Sequence, residues 1–195
     1  MRKAEIKRKT RETSIDIQLD LDGRGRADIH TGIGFLDHML THLAFHGMLD
    51  LTVQAEGDLD VDAHHTAEDC ALAVGQAFDQ ALQDRSGINR TGSAFIPMDE
   101  TLAHTAIDFS GRPYCVLEVE WNTSMLGTLP VDMIEHFFQS FSAAARATVH
   151  SRVLYGRSDH HKAEAMFKAL GKAVRHAVEL DQRRGSGIPS TKGVL

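Results

Sequence analysis

His64-His65-Thr66-Ala67-Glu68 recurs ninety-six positions later as His160-His161-Lys162-Ala163-Glu164, and the match runs on beyond the five letters. Gly75 and Gly171 each stand eleven residues after the first His of their block, and Ala77 and Ala173 thirteen after. Apolar residues follow at helical spacing in both stretches, Leu72, Val74, Phe78 and Leu82 in one and Phe167, Leu170, Val174 and Val178 in the other. On such a helix the first His and the Glu are i, i+4 and the second His and the Glu i, i+3, so three ligand-type side chains gather at its first turn. A single His is ordinarily a surface or core residue; a doubled HHxAE is a metal grip. It differs from HExxH, where the Glu lies between the two His and acts as a base. Here the Glu follows the pair and reads as a ligand.

Upstream of the first block, Ser14 to Leu21 alternates, placing Ile15, Ile17, Leu19 and Leu21 on one face as a half-buried strand requires. Asp22-Gly23-Arg24-Gly25 is a turn signal, and Arg26 to His30 is expected to run back as the second strand of a hairpin. A helix follows from Phe35 to Phe45, with Leu36, Met39, Leu40 and Leu43 on its apolar stripe, His38, His42 and His46 at i+4 steps on another face, and Gly47 as its stop. Leu49 to Glu56 alternates again, and the acidic loop Gly57 to Asp62 leads into the first block.

The second half retraces this course. Glu12-Thr13 is answered by Glu100-Thr101, and Asp20-Leu21-Asp22-Gly23-Arg24 by Asp108-Phe109-Ser110-Gly111-Arg112. Tyr114 to Trp121 is the return strand, Ile134, Phe137, Phe138 and Phe141 answer the first apolar stripe, and Glu135-His136 answers Asp37-His38. Ala147 to Leu154 is the strand before the second block. The chain is therefore a duplication, with half-repeats 1–90 and 91–195 in one integrated domain and a seam near Ser86 to Gly92. Each half reads strand, strand, helix, strand, helix. A half of that size buries little core by itself, so the expected fold class is α+β: two mixed sheets of the four-stranded type with the helices packed between them. The tail from Asp181 is rich in Gly and basic residues and is expected to fray unless something ties it down.

Composition narrows the function. A length of 195 residues with 42% hydrophobic content suits a compact domain, and a net charge of -6 argues against a nucleic-acid or anionic-membrane partner. No apolar run approaches a membrane span and the basic N-terminus lacks the apolar core of a signal peptide, so a cytoplasmic protein is expected. Cys70 and Cys115 have no CxxC spacing and read as buried thiols. The duplicated positions collect into two equivalent sets, His38, His64, His65, Glu68 and His136, His160, His161, Glu164. These form two sites of three His and one Glu, a donor set for borderline first-row metals and not for structural zinc. Because adjacent side chains diverge by about 100° on a helix, His64 and His65 should serve different metals, so that each site mixes ligands from both halves. A cationic group, Arg90, Arg112, Lys168 and Lys192, with Ser190 beside the last, has the chemistry to hold a phosphate.

At these residues the chain resembles the imidazoleglycerol-phosphate dehydratases. The motifs that carry the resemblance are Gly32-Ile33-Gly34-Phe35-Leu36-Asp37-His38 with His46-Gly47, Asp62-Ala63-His64-His65-Thr66-Ala67-Glu68-Asp69, Gly87-Ile88-Asn89-Arg90, Ser110-Gly111-Arg112-Pro113, Glu135-His136-Phe137, His160 to Ala165 with Phe167-Lys168-Ala169, and Ile188-Pro189-Ser190-Thr191-Lys192-Gly193. The resemblance implies an enzyme of histidine biosynthesis, with two Mn²⁺ per subunit, that removes water from D-erythro-imidazole glycerol phosphate to give imidazole acetol phosphate. It implies metal ligands at the eight gathered residues and an acid/base at Glu12, with His38, His65, Glu68 and Glu164 completing the catalytic set. Substrate contacts are implied at Glu12, His46, Arg90, Arg112, Lys168, Ser190 and Lys192. It further implies a homo-oligomer of twenty-four chains with metals at subunit contacts. Two other readings fit the ligand set alone: a dinuclear metallohydrolase, which usually bridges its metals by carboxylate, and a metal-binding protein without catalysis, which leaves Glu12 and the cations without a task.

Overall fold

The computed structural model describes residues 2–194. Its first strand, β1 (Lys3–Lys9), is an element that the sequence reading missed. Only Ala4 and Ile6 of KAEIKRK carry apolar weight inward, and the other side chains are charged. That composition suits a sheet edge, where Lys discourages pairing with another chain, and gives little alternation to read. β1 pairs antiparallel with β2 (Thr13–Asp20), from Lys3 opposite Asp20 to Lys9 opposite Ser14. In β2 the expected alternation holds, with Ile15, Ile17 and Leu19 buried.

The expected hairpin of residues 14–21 with 26–30 does not form. β3 (Ala27–His30) runs parallel to β4 (Asp50–Gly57), while β2 lies antiparallel on the other side of β4, giving the order β1-β2-β4-β3. The turn at Asp22 to Gly25 is real but leads past β4. The Asp50 carboxylate accepts from the backbone N–H of Arg24 at 2.7 Å and of Arg26 at 3.1 Å, and Leu51 N–H donates to the Arg26 carbonyl at 2.9 Å. A parallel pair needs a crossover, supplied here by α1 (Gly34–Gly47).

After α2 (His64–Leu82) the second half repeats the plan. β5 (Thr91–Met98), also missed by the sequence reading, pairs antiparallel with β6 (Thr101–Asp108); β7 (Tyr114–Glu118) and a small β8 (Met125–Leu126) and β9 (Leu129–Pro130) pair precede α3 (Asp132–Ala144), and β10 (Thr148–Tyr155) precedes α4 (Asp159–Val178). The second sheet has the order β5-β6-β10-β7, with β10 parallel to β7, matching the first strand for strand.

The helices fill the space between the sheets. α2 packs on β1 and β2 and against α3, and α4 packs on β5 and β6 and against α1. Each contact thus joins helices from opposite halves. Leu36, Met39, Leu40 and Leu43 of α1 and Ile134, Phe137, Phe138 and Phe141 of α3 are fully buried, and Phe137 lies 5.0 Å from Phe167 between ring centroids. The repeated glycines set how closely the pairs approach. A Cβ at Gly75 would meet the Ala144 Cβ at 2.7 Å and the Phe141 carbonyl at 2.8 Å; one at Gly171 would meet the Leu43 carbonyl at 2.9 Å and the Gly47 nitrogen at 3.0 Å.

Gly75→Ala and Gly171→Ala are therefore expected to destabilise the protein by about 1–3 kcal/mol through overpacking, outweighing the gain of ~1 kcal/mol in helix propensity. Urea unfolding midpoints check this: a midpoint that rises in both variants would mean that the helix pairs have slack.

Candidate metal centres and active site

Both HHxAE blocks fall on first helical turns, at the start of α2 and of α4. The i, i+4 geometry brings His64 Nε2 to 3.5 Å from Glu68 Oε2, and His160 Nε2 to 3.2 Å from Glu164 Oε2. The third member of each group comes across the helix pair. His136 of α3 places Nε2 3.3 Å from Glu68 Oε2, and His38 of α1 places Nε2 3.6 Å from Glu164 Oε2. Two groups result, His64, Glu68, His136 and His38, His160, Glu164, each with its candidate ligand atoms within 4.8 Å of one another.

The donor chemistry of these groups fits a divalent metal. His136 Nε2 is buried and makes no hydrogen bond among the described residues although the Glu68 oxygen is near, as expected when side chains converge on a common point and not on each other. Burial pushes the Glu164 carboxyl up, but the hydrogen bond from Lys168, at 2.5 Å, and the charge of that lysine offset it, so the carboxylate is held ionised. His42 lies 3.2 Å from both His38 Nε2 and Glu164 Oε1; burial pushes it down to about 4, which keeps its ring neutral at physiological pH. Imidazole and carboxylate donors without thiolate select first-row divalent ions.

His65 and His161, the second histidines of the blocks, stand outside these groups. His65 Nδ1 is 3.0 Å from Asp58 Oδ2 and 4.0 Å from Glu12 Oε2. His161 Nδ1 is 2.7 Å from Glu100 Oε2. Hydrogen bonds from Ser158 N–H, His161 and Arg157 N–H hold the Glu100 carboxyl far below the usual carboxylate range. Glu12 sits in the turn between β1 and β2, and that turn is clamped to α2 by Asp69. The Asp69 carboxylate accepts from Arg8 Nη2 at 2.8 Å, Arg8 Nε at 3.0 Å and Thr13 Oγ1 at 2.5 Å.

The cationic residues divide. Arg90, Arg112, Ser190 and Lys192 line one cleft of about 450 Å³ together with Arg184. The tail is tied down there by bonds to the rest of the chain. Gly87 N–H donates to the Gly187 carbonyl at 3.0 Å and Asp181 N–H to the Gly87 carbonyl at 2.8 Å, while Arg90 Nη1 donates to the Pro189 carbonyl at 2.9 Å. The rest of the Arg90 guanidinium is engaged by Asp108, at 2.6 and 2.9 Å. Lys168 lies elsewhere, against Glu164, and His46 shares that neighbourhood: burial, then Lys168 and Lys172, lower its pKa.

Sequence reasoning gave no role to His42, Asp58, Asp69, Glu100 or Arg184. His42 carried a signal in its i+4 step from His38, and Glu100 in its match to Glu12. Asp58 was hidden among the acids of its loop and Arg184 among those of a basic tail.

The imidazoleglycerol-phosphate dehydratase family model matches residues 31–174. Imidazoleglycerol-phosphate dehydratases from a Roseiflexus species and from Chloroflexus aggregans are 56% and 57% identical to the chain, which is covered in full, over 98% and 95% of their own lengths. The crystal structure of that enzyme from Staphylococcus aureus superposes with a TM-score of 0.83 at 35% identity, over 92% of this chain and 99% of the other. The one from Pyrococcus furiosus does so with a TM-score of 0.84 at 33% identity, over 97% and 100%. With the doubled HHxAE blocks folded into two cross-half ligand groups and relatives alike over their whole length, the chain belongs to the imidazoleglycerol-phosphate dehydratase family.

Proposed function

We propose that the chain dehydrates D-erythro-imidazole glycerol phosphate to imidazole acetol phosphate in histidine biosynthesis, and that it does so with two Mn²⁺ per subunit. The observation that carries this reading is the pair of two-His, one-Glu groups, each completed across the halves. The ligands proposed are those six residues with His65 and His161, which stand outside their own chain's groups. Ligands left outside their own chain's groups suit metals completed by a neighbouring copy, and the family resemblance is what carries the proposal of a homo-oligomer of twenty-four chains. The division into half-repeats 1–90 and 91–195 is proposed with it, supported by the matching strand orders. Among the described residues no helix is long and apolar enough to cross a membrane. A cytoplasmic location is proposed from the biosynthetic role.

The difficulty of the reaction is a carbon-bound proton beside a neutral ring, far from acidic. Mn²⁺, when bound, supplies Lewis-acid polarisation and a template for the ring. Glu12 is the proposed acid/base. Its side chain is 54% exposed and 4.0 Å from His65 Nδ1, free to take and return a proton, while Asp69 holds the turn that carries it. The cleft of Arg112, Ser190 and Lys192 is the proposed phosphate seat, with Arg90 contributing by holding Pro189 and hence Ser190 in place. Phosphate anchorage far from the reacting carbon gives binding energy that orients it. His38, His65, Glu68 and Glu164 serve in catalysis as ligands, and Lys168 and His46 approach substrate from the metal side.

Three outcomes test this. His64→Ala and His160→Ala should each lower Mn²⁺ content and turnover together; full metal occupancy in both would remove them from the ligand set. Arg112→Ala should raise KM about 10- to 100-fold, the size of one hydrogen bond to a charged group, with metal content unchanged; loss of metal at constant KM would make Arg112 structural. Glu12→Gln should lower kcat by roughly two to four orders of magnitude while substrate still binds, and near-wild-type turnover would exclude it as the acid/base.

A further inference from the structure

Glu12 and Glu100 occupy equivalent hairpin turns, between β1 and β2 and between β5 and β6, each beside the second histidine of an HHxAE block. Their surroundings differ. Glu100 is 26% exposed and spends both oxygens: Oε1 accepts from the N–H groups of Arg157 at 3.0 Å and Ser158 at 2.8 Å and from Thr101 Oγ1 at 3.1 Å, while Oε2 faces His161 Nδ1. Glu12 makes no such bond among the described residues. In its half the Nδ1 partner is Asp58, at 3.0 Å from His65. Asp58 comes from the loop Asp58–Ala63, which is longer than the corresponding loop Gly156–Ser158 before α4.

We infer that Asp58 and Glu100 are positioning residues that fix His65 and His161 as Nδ1–H donors, so that each presents an Nε2 lone pair to a metal, and that Asp58, by taking over this task in the first half, leaves Glu12 free for proton transfer. The inference rests on the reading of His65 and His161 as ligands and of Glu12 as the acid/base. A neutral imidazole carries one N–H, and a carboxylate that can only accept places it on the facing nitrogen. A carboxylate behind a ligating His also fixes the ring's orientation and raises its basicity. At His161 the other nitrogen, Nε2, has the exposed Asp99 carboxylate at 3.9 Å, beyond hydrogen-bond reach. The two halves thus reach one ligand geometry by different carboxylates, and the exchange separates a positioning acid from a reacting one.

The test uses Glu100→Gln and Asp58→Asn in the full chain, with Mn²⁺ affinity read by titration of free Mn²⁺ and melting temperature measured without metal. The Gln oxygen must remain toward the Arg157 and Ser158 N–H groups, so its NH₂ faces His161 Nδ1 and shifts the ring proton to Nε2. Asp58→Asn removes the carboxylate charge behind His65, where Oδ1 has no hydrogen-bond partner to fix the amide, without touching that loop. The expected result is a Mn²⁺ affinity lowered roughly 10- to 100-fold in each variant at unchanged metal-free melting temperature, with Glu12→Gln binding Mn²⁺ as the wild type does. Wild-type affinity in both amide variants, where His65→Ala and His161→Ala bind weakly, would overturn the inference and leave the ligand reading standing. A loss of affinity that only tracks a loss of melting temperature would also overturn it. If His65→Ala and His161→Ala bind Mn²⁺ normally, the ligand reading falls and the inference with it.

Discussion

The close approach of helices from opposite halves is the constraint on which the rest of the structure depends. α2 meets α3 at Gly75 and α4 meets α1 at Gly171, with backbone atoms of the facing helix where a side chain would begin. The same two contacts deliver His136 to Glu68 and His38 to Glu164. Core packing and ligand geometry are therefore one requirement: interiors pack at crystal-like density and do not deform by small steps, so a helix pair that closes correctly also sets its three donor atoms. Neither half contains a complete group by itself, which ties the integrity of the candidate centres to the union of the halves.

The two halves keep the architecture and differ in their polar anchoring. Position 69 is Asp, clamping Arg8 and Thr13 beside Glu12, while its counterpart is the buried Ala165. The second block is anchored instead by Lys162, which donates to Asp159 at 2.8 Å and to the Glu120 carbonyl at 2.6 Å, and by Asp159, which accepts from the N–H groups of Asn122 and Thr123. Thr66 replaces that lysine in the first block. A buried ion pair is a weak source of net stability but is costly to break, so these networks hold each block in register more than they add to the folding free energy. The ligand carboxylates differ similarly: Glu164 is buried with Lys168 against it, whereas Glu68 is half-buried with no lysine partner among the described residues.

Local periodicity was enough for the parts of this protein whose structure is made by neighbours in sequence. The HHxAE blocks at i, i+4 spacing, the apolar stripes of α1 and α3 and the alternation of β2 and β4 are short-range patterns, and each reappears as read. β1 escaped because it is a row of Lys, Glu and Arg at a sheet edge, and β5 because Gly92, Ser93 and Pro97 break up its apolar residues so that no alternation can be read. The predicted hairpin failed because a turn signal says that the chain reverses and not which strand it reverses onto; Asp50, more than twenty residues away, decided that.

Two helical turns rich in candidate metal ligands, and the residue types they offer, were legible from spacing alone, because a helix dictates which of its own side chains share a face. Only the tertiary structure decided which third histidine joins each pair, which nitrogen of His65 and His161 is already engaged, and which cations share a cleft. Those outcomes depend on the approach of segments distant in the chain, through the glycine contacts, the acidic loop before α2 and the bonds from Gly87 and Arg90 that draw the tail beside Arg112. Each is a contact whose partners are set by packing, and nothing in the spacing of either partner encodes it.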